Sequence, residues 1–526
     1  MIWNGSALGF TRERAPIAYD GNAPTLVFGP PGSSKTVGVV MCQLLDEPGR
    51  RSFVVIDPKG ECAAVTARYR REVCGAENVK IINPFGVLVE QRPDLKSDGW
   101  NPLGDLDAKS PTLGDECAAL GDALVSEDSN KTQPHFPNAA KSGWTAGNKN
   151  EVVEAAKLNL RPSLPAVRAA LTQDAKALKK WVEKIMAGGD YDLITRLRKF
   201  SASTDELENI KSTIEVSSAW MTGEMRVDMD KPGGVSFRAC TQRPTTIYVI
   251  LPTQELQNKS VYLRLVLSAA LRALYREGGV PTTLEVEEGF VIGHHAEILQ
   301  AASILRGFGH RLTIIFQSLQ QIKNLYPDTH GLFMSGAVLG FRPGDLETAE
   351  WMSKRAGDAW RASPSYADPA TPTELRVKPT WKPEKRERIS VGKMFSMPQG
   401  RALVWLPGDE APRISWVRGY FDIPELAARA DRNPYYTGPA AAARSAGRAR
   451  WAWRSAAAAV IGVGALAAGV ALGPTFEELK AAFGGGEQWA AREIHKRPEA
   501  GYNPASPRKK RDAARRAATR ETRAFP

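Results

Sequence analysis

Cysteine and histidine are scarce in this chain: there are five cysteines and six histidines among 526 residues. Cys42, Cys62, Cys74, Cys117 and Cys240 are odd in number and no two have CxxC spacing. That excludes a disulfide framework and a cysteine-based metal site read from spacing, and it predicts a cytosolic main body. The N-terminus, Met1-Ile2-Trp3-Asn4-Gly5, has no basic stretch followed by an apolar run. No signal peptide or N-terminal membrane span is expected from it. No repeat of solenoid length occurs. Positive charge, by contrast, is abundant: 70 Lys and Arg against 58 Asp and Glu, a net charge of +12. Such an excess suits a polyanionic partner, either nucleic acid or an anionic membrane. Much of it lies in Arg508-Lys509-Lys510-Arg511, Arg515-Arg516, Arg520 and Arg523, which by default form a solvated tail. The length suggests two to four domains at roughly 150 residues each.

Short apolar runs punctuate the first 410 or so residues. Thr25–Phe28, Phe53–Ile56, Val79–Ile82, Thr246–Leu251, Leu284–Val286, Leu312–Phe316, Ala337–Phe341 and Ala402–Leu406 are rich in Val, Ile and Phe and too short for helices. They predict buried strands. Helical patterns such as Val261–Arg276 and Ala296–Arg306 lie between them, which predicts a mainly parallel sheet covered on both faces. From about 105 to 230 the pattern changes: Asn150–Leu158, Leu164–Ala187 and Thr204–Met221 are helical and no strand interrupts them. This predicts an all-α domain inserted into an α/β domain. Between Ala362 and Lys385 five prolines predict a loop or linker rather than an element.

Ser455–Gly473 is a run of 19 residues without a charge. Trp451 and Trp453 stand at its start, and Arg444, Arg448, Arg450 and Arg454 precede it. The length just suffices to span a bilayer, and the flank fits a cytoplasmic interface. An Ala/Gly-rich buried helix or linker is the competing reading, and a span would place the basic tail on the far side of the membrane.

One motif carries most of the chemistry. Gly29-Pro30-Pro31-Gly32-Ser33-Ser34-Lys35-Thr36 follows the strand Thr25–Phe28 and opens a helix expected over Val37–Leu45. A phosphate-binding loop requires that context: backbone N–H groups and a helix N-terminus face the phosphates. Lys35 would reach the outer phosphates and the Thr36 hydroxyl would hold Mg²⁺. Ser34 replaces the second glycine of the usual pattern, and suits the loop if its φ is negative. Glu285–Glu288 ends an apolar run, and carboxylates there could hold Mg²⁺ through water and polarise an attacking water. Gln317 follows Leu312–Phe316, at the end of a strand where open α/β sheets bind ligands. By itself each of these is as readily a surface or turn residue, and Arg306 as readily a solvated helix end.

Taken together, the segments resemble the type IV coupling proteins of conjugation and secretion systems, the TraG/TraD-like family. The resemblance rests on Gly29–Val40, Asp57-Pro58-Lys59-Gly60-Glu61, Ile82-Asn83-Pro84-Phe85-Gly86, Trp100-Asn101-Pro102-Leu103, Leu305-Arg306-Gly307-Phe308-Gly309, Phe316-Gln317-Ser318-Leu319 and Asp345-Leu346-Glu347-Thr348-Ala349-Glu350-Trp351. It implies a RecA-like P-loop ATPase using ATP and Mg²⁺, working as a homo-oligomer of the hexamer kind, at the bacterial inner membrane. Its cargo would be DNA or a relaxase-like nucleoprotein, delivered to other type IV secretion components. By position, Lys35 and Thr36 match the phosphate-loop pair, Glu287 the Walker B Asp, Glu288 the catalytic Glu, and Gln317 the sensor glutamine. Arg306 matches the proposed arginine finger acting on a neighbouring subunit.

Three departures stand out: Ser34; Glu287-Glu288-Gly289 where the family has Asp-Glu-Phe, a lost aromatic expected to loosen the strand end; and the missing N-terminal spans, for which 455–473 would be a relocated anchor. The expected organisation is 1–104 and 231–435 for the two parts of the nucleotide-binding domain, 105–230 for the helical insertion, 436–454 for a basic linker, 455–473 for a candidate membrane span and 474–526 for a basic tail. Two other functions compete with the motor: a catalytically weak coupling platform that acts as a substrate receptor, and a double-stranded DNA pump.

Overall fold

The computed structural model describes residues 1–125, 135–201, 204–252, 254–255, 259–275, 279–365 and 380–435. The segments 436–454, 455–473 and 474–526 lie outside the described residues. Among the described residues thirteen strands form: β1 Ser6–Phe10, β2 Pro16–Tyr19, β3 Thr25–Phe28, β4 Ser52–Ile56, β5 Val79–Ile82, β6 Thr246–Val249, β7 Thr282–Val286, β8 Arg311–Phe316, β9 Ala337–Phe341, β10 Asp358–Ser365, β11 Thr380–Glu387, β12 Arg401–Trp405 and β13 Arg413–Trp416. Eleven of them make one sheet, in the order β2-β1-β13-β12-β9-β3-β8-β7-β4-β6-β5. The run from β9 to β5 is parallel throughout. β12, β13, β1 and β2 extend one edge antiparallel.

The parallel strands read as continuous apolar runs because both of their faces are covered. Leu26, Phe28, Val54, Ile56, Leu284 and Val286 point into one apolar core. Val27, Phe53, Val55, Ile315 and Leu339 point into another, packed against the helices Met41–Asp46 and Glu61–Cys74. The strands expected from sequence are all present. β1, β2 and β13 were not anticipated. They form an antiparallel edge whose pairing, such as Phe10 with Trp416, joins residues four hundred positions apart.

Between β5 and β6 the described residues include helices at Leu113–Leu124, His135–Lys157, Leu164–Leu171, Ala175–Met186, Tyr191–Leu197, Thr204–Ser217 and Gly223–Met229, and no strand. Leu120, Trp144, Leu178 and Ile210 from these helices share one continuous core with Tyr262 and Val266 of the helix Ser260–Leu274, which lies on the sheet. Among the described residues no helix is long and apolar enough to cross a membrane.

The Pro-rich stretch departs from expectation. Its two ends are strands, β10 and β11, paired antiparallel as a separate two-stranded ribbon. Pro364 and Pro383 sit inside those strands. A proline is tolerated on an edge strand when its missing N–H faces outward, and in a two-stranded ribbon both strands are edges.

Candidate functional site

Four neighbouring parallel strands end together. Register pairs Phe28 with Phe316, Ile314 with Val286, and Val286 with Ile56. The residues that follow these ends, Gly29–Thr36, Gln317, Glu287-Glu288 and Asp57, therefore converge on one crevice at the C-terminal edge of the sheet. This is the position where open α/β sheets place ligands.

The loop Gly29–Lys35 turns tightly over the end of β3, with the Gly29 N–H donating to the Phe316 carbonyl at 3.3 Å. Gly32 has φ +77° with open space around its Cα. Pro30, Pro31, Gly32 and Ser33, with Phe341, Arg342 and Gln399, line a cavity of about 220 Å³ beside the loop. The Lys35 ammonium donates to the loop's own carbonyls, Gly29 at 2.6 Å and Pro30 at 2.9 Å, and to Ser33 Oγ at 3.3 Å. Burial lowers its pKa, against the pull of Glu288 and Glu287. The next helix begins differently from expectation: Thr36–Val40 is a π-type turn, and α geometry starts at Met41. Such turns recur at functional sites.

Ser34 corrects the sequence reading. Its φ is +69°, not negative. It occupies the left-handed region that the glycine of the usual motif adopts without cost, so the serine here is strained.

Across from the loop, the Thr36 hydroxyl lies against the Glu287 carboxyl. Burial first, then the charge of Asp57, pushes that carboxyl well above the ordinary range, and the Thr36 hydroxyl offsets part of the shift. Asp57 caps the helix Glu61–Cys74, accepting from the Glu61 and Ala63 N–H groups at 3.1 and 2.8 Å. Burial raises its pKa too, and those backbone bonds oppose the rise. Cys62 Sγ lies 3.9 Å from Glu287 Oε1. One ligand atom each from Asp57, Cys62 and Glu287 falls within 4.8 Å of the others.

Glu288 stands in left-handed backbone, φ +55°. Gln317 Nε2 donates to its Oε2 at 3.0 Å. Thus Lys35, Thr36, Glu287, Glu288 and Gln317 meet in one crevice. Glu285 does not join them. It lies two residues back on β7, fully buried. Gly289 corrects a second expectation. A Cβ there would meet Phe316 Cζ at 2.9 Å and Ile314 Cγ1 at 3.0 Å. The space beside residue 289 is already filled, and the strand end is closely packed without an aromatic at that position.

Arg306 is elsewhere. It is exposed in the 3-10 turn Leu305–Phe308 that precedes β8, while Gln317 follows β8. Six strand residues separate the two ends, about 20 Å. Its charge acts on Tyr19, at the end of β2, instead.

Sequence reasoning assigned no role to Asp57, Cys62 or Lys59. The Asp57–Glu61 block was visible as a motif. What was not visible was that β4 and β7 are neighbours, which sets Asp57 against Glu287, or that the Lys59 charge falls beside Lys35.

The family model for type IV secretory system conjugative DNA transfer matches residues 11–430. No curated protein matches the chain by sequence. Among solved structures it resembles the conjugative coupling protein TrwB in its unbound monoclinic form, with TM-score 0.56 and 14% identity over 78% of this chain and 88% of that one. It also resembles TrwB in complex with ADP and Mg²⁺, with TM-score 0.55 and 15% identity over 78% and 89%. TrwB with the GTP analogue GDPNP gives the same TM-score, identity and coverage. At such identity these likenesses establish a shared fold, a mainly parallel sheet flanked by helices. With its match running from the turn before β2 to the last described helix, the chain belongs to the type IV secretory system conjugative DNA transfer family.

Proposed function

We propose that the chain is an ATP-driven coupling motor that recruits DNA or nucleoprotein cargo to a type IV secretion channel. One observation carries the reading. The phosphate-binding loop, Thr36, Glu287, Glu288 and Gln317 form one crevice, with Thr36 against Glu287 and Gln317 hydrogen-bonded to Glu288.

The residues fit ATP and Mg²⁺. The loop N–H groups and Lys35 suit a phosphate chain. The Thr36 hydroxyl and Glu287 are oxygen donors of the kind Mg²⁺ takes. When bound, Mg²⁺ would neutralise charge on the phosphates. Glu288, held by Gln317, orients and deprotonates the attacking water, and its left-handed backbone aims the carboxylate into the crevice. Lys35 exchanges the loop carbonyls for phosphate oxygens. That the TrwB structures include complexes with ADP and Mg²⁺ and with ATP and GTP analogues supports a nucleotide at this place.

Arg306 is too far along β8 to reach its own loop. It serves the nucleotide of a neighbouring copy, which makes the active form a closed homo-oligomer, a hexamer in this reading. The test mixes two variants. Lys35→Ala and Arg306→Ala are each inactive in steady-state phosphate release, and a mixture recovers turnover because mixed interfaces pair an intact loop with an intact arginine. A mixture as inactive as its parents would sink the shared site. Turnover that Lys35→Ala leaves untouched would sink the motor and favour the receptor platform. The apolar run 455–473 anchors the motor on the cytoplasmic side of the inner membrane, and deleting it should release the protein from sedimented membranes.

A further inference from the structure

The phosphate-binding loop has neighbours on the side away from its carboxylates. Around it the sheet runs β12-β9-β3-β8-β7. Gln317 and Glu288 follow β8 and β7, so they approach the loop from one side. β9 flanks β3 on the other, with Phe28 paired to Gly340, and β12 lies beyond it, with Ala402 paired to Phe341. Phe341 is buried and set against the loop: a Cβ on Gly29 would meet its Cβ at 2.7 Å. The chain after β9 then passes close over the loop, where a Cβ on Gly344 would meet Pro30 Cβ at 3.6 Å. The cavity of about 220 Å³ opens here, between Pro30–Ser33 of the loop and Phe341, Arg342, Gln399 and Arg401.

Among the described residues that line this cavity none is acidic. Continuing the antiparallel register by one residue sets Arg401 opposite Arg342, and like charges directly opposed are destabilising. Arg401 has a partner: its guanidinium stands over the Trp416 ring, 5.1 Å from the centroid. Arg342 is exposed, and its guanidinium makes no ion pair and no hydrogen bond among the described residues. Gln399 Nε2 donates to the Gly32 carbonyl at 3.4 Å, a long bond that a ligand displaces at little cost. A planar cation and an amide, both free to engage a ligand, thus stand beside a phosphate-binding loop. A nucleobase takes such groups: a guanidinium lies flat on a ring and an amide reads its edge. The volume agrees. Pockets that enclose a whole small ligand run from about 300 Å³ upward, and this one suits part of a nucleotide.

We propose that this cavity seats the base of the nucleotide, with the Arg342 guanidinium stacked on its face and the Gln399 amide reading its edge, and that the preferred base is adenine. The direction of the nucleotide follows from the crevice. The phosphate to be transferred faces Glu288, so the nucleoside leaves the loop on the opposite side, over β9 and β12. A glutamine amide offers a donor and an acceptor together, which match adenine N7 and its N6 amino group. Guanine presents two acceptors on that edge, and its amino group finds no carboxylate in this cavity. The proposal rests on the reading of the crevice as an ATP site and adds which residues hold the base and which base they select.

The test uses the full chain and calorimetric titration, with Mg²⁺ present, of ADP, GDP and inorganic tripolyphosphate. The parent should bind ADP about tenfold more tightly than GDP. Arg342→Ala should weaken ADP about tenfold and leave tripolyphosphate unchanged, since only the base touches the guanidinium. Arg342→Lys keeps the charge without the plane and should behave as the alanine variant does. Gln399→Ala should bring ADP and GDP to within about threefold of each other. Photolabelling with azido-ADP should mark peptides that contain Arg342 or Gln399. Equal losses of ADP and tripolyphosphate in Arg342→Ala, or rescue by lysine, would make Arg342 a phosphate ligand and overturn the base seat. So would a parent that binds GDP as tightly as ADP, ADP affinity unchanged in both alanine variants, or labelling confined to other peptides. Lys35→Ala separates the two readings, because it should weaken ADP and tripolyphosphate alike. If it weakens neither, the crevice is not a phosphate site and the motor reading falls. If it weakens both while Arg342→Ala weakens neither, only the base seat falls.

Discussion

Glu285 lies inside β7, and Glu287 is the first residue beyond its end. Burial raises the pKa of both, yet they do different things. Glu287 lies at the strand end, against Thr36, Cys62 and Asp57. Glu285 lies inside the sheet, where burial pushes its carboxyl up to about 8 against the pull of the Thr313 hydroxyl and the Arg311 and Arg51 guanidiniums. Below them, at the N-terminal ends of the strands, Arg51, Arg311, Gln43, Asp46 and Glu47 line a polar cavity of about 430 Å³. Two acids two positions apart thus divide between a ligand crevice and the interior. The loops entering from β3 and β4 decide which is which.

Three changes break or sharpen that contrast. The largest effect is expected at the crevice. Lys35→Ala removes the one cation held on the phosphate-binding loop and should lower steady-state phosphate release by about 10²–10³-fold. A loss under threefold would show that the crevice is not where turnover occurs.

The interior acid comes next, and its effect is on stability with pH. The folded-state pKa of Glu285 lies above its unfolded value of about 4.5. Between those two values the folded state holds a proton that the unfolded state has lost, so stability falls as pH rises from about 4.5 through about 8. Glu285→Gln keeps the shape and cannot ionise. Its urea midpoint should decline less over that window, and at the alkaline end its unfolding free energy should exceed the parent's by about 1–3 kcal/mol. Parallel pH profiles for parent and variant would show that Glu285 is already relieved by its arginine neighbours.

The smallest change is Ser34→Gly. A left-handed serine costs on the order of 1 kcal/mol or more, which glycine removes while adding freedom to the unfolded chain. The melting temperature should rise by a degree or two, and turnover should rise or hold. A fall in turnover would mean that the Ser34 side chain contributes to the loop beyond its strain.

The sequence was most legible where the physics is local. Fully apolar runs bounded by turn residues located the parallel strands, since a strand covered on both faces has no choice but to be apolar. Gly32, Lys35 and Thr36 identified the phosphate-binding loop because its function depends on backbone spacing over eight residues. The Pro-rich ribbon was misread because proline is a breaker inside a sheet and acceptable on an edge. Whether a strand is an edge is a matter of its neighbours. The antiparallel strands β1, β2 and β13 were missed for a related reason: they are short and their pairing is remote in sequence.

By itself, then, the sequence determined the element types of the parallel half, the phosphate-binding loop and the family. Only the tertiary structure decided that Ser34 is left-handed, that Gly289 has no room for a side chain, and that Glu285 leaves the carboxylate group while Asp57 enters it. It also decided that Arg306 stands a strand's length from its own loop. These depend on which strands are adjacent and in which register. Adjacency in a parallel sheet is set by packing over hundreds of residues, so the spacing of residues along the chain carries no record of it.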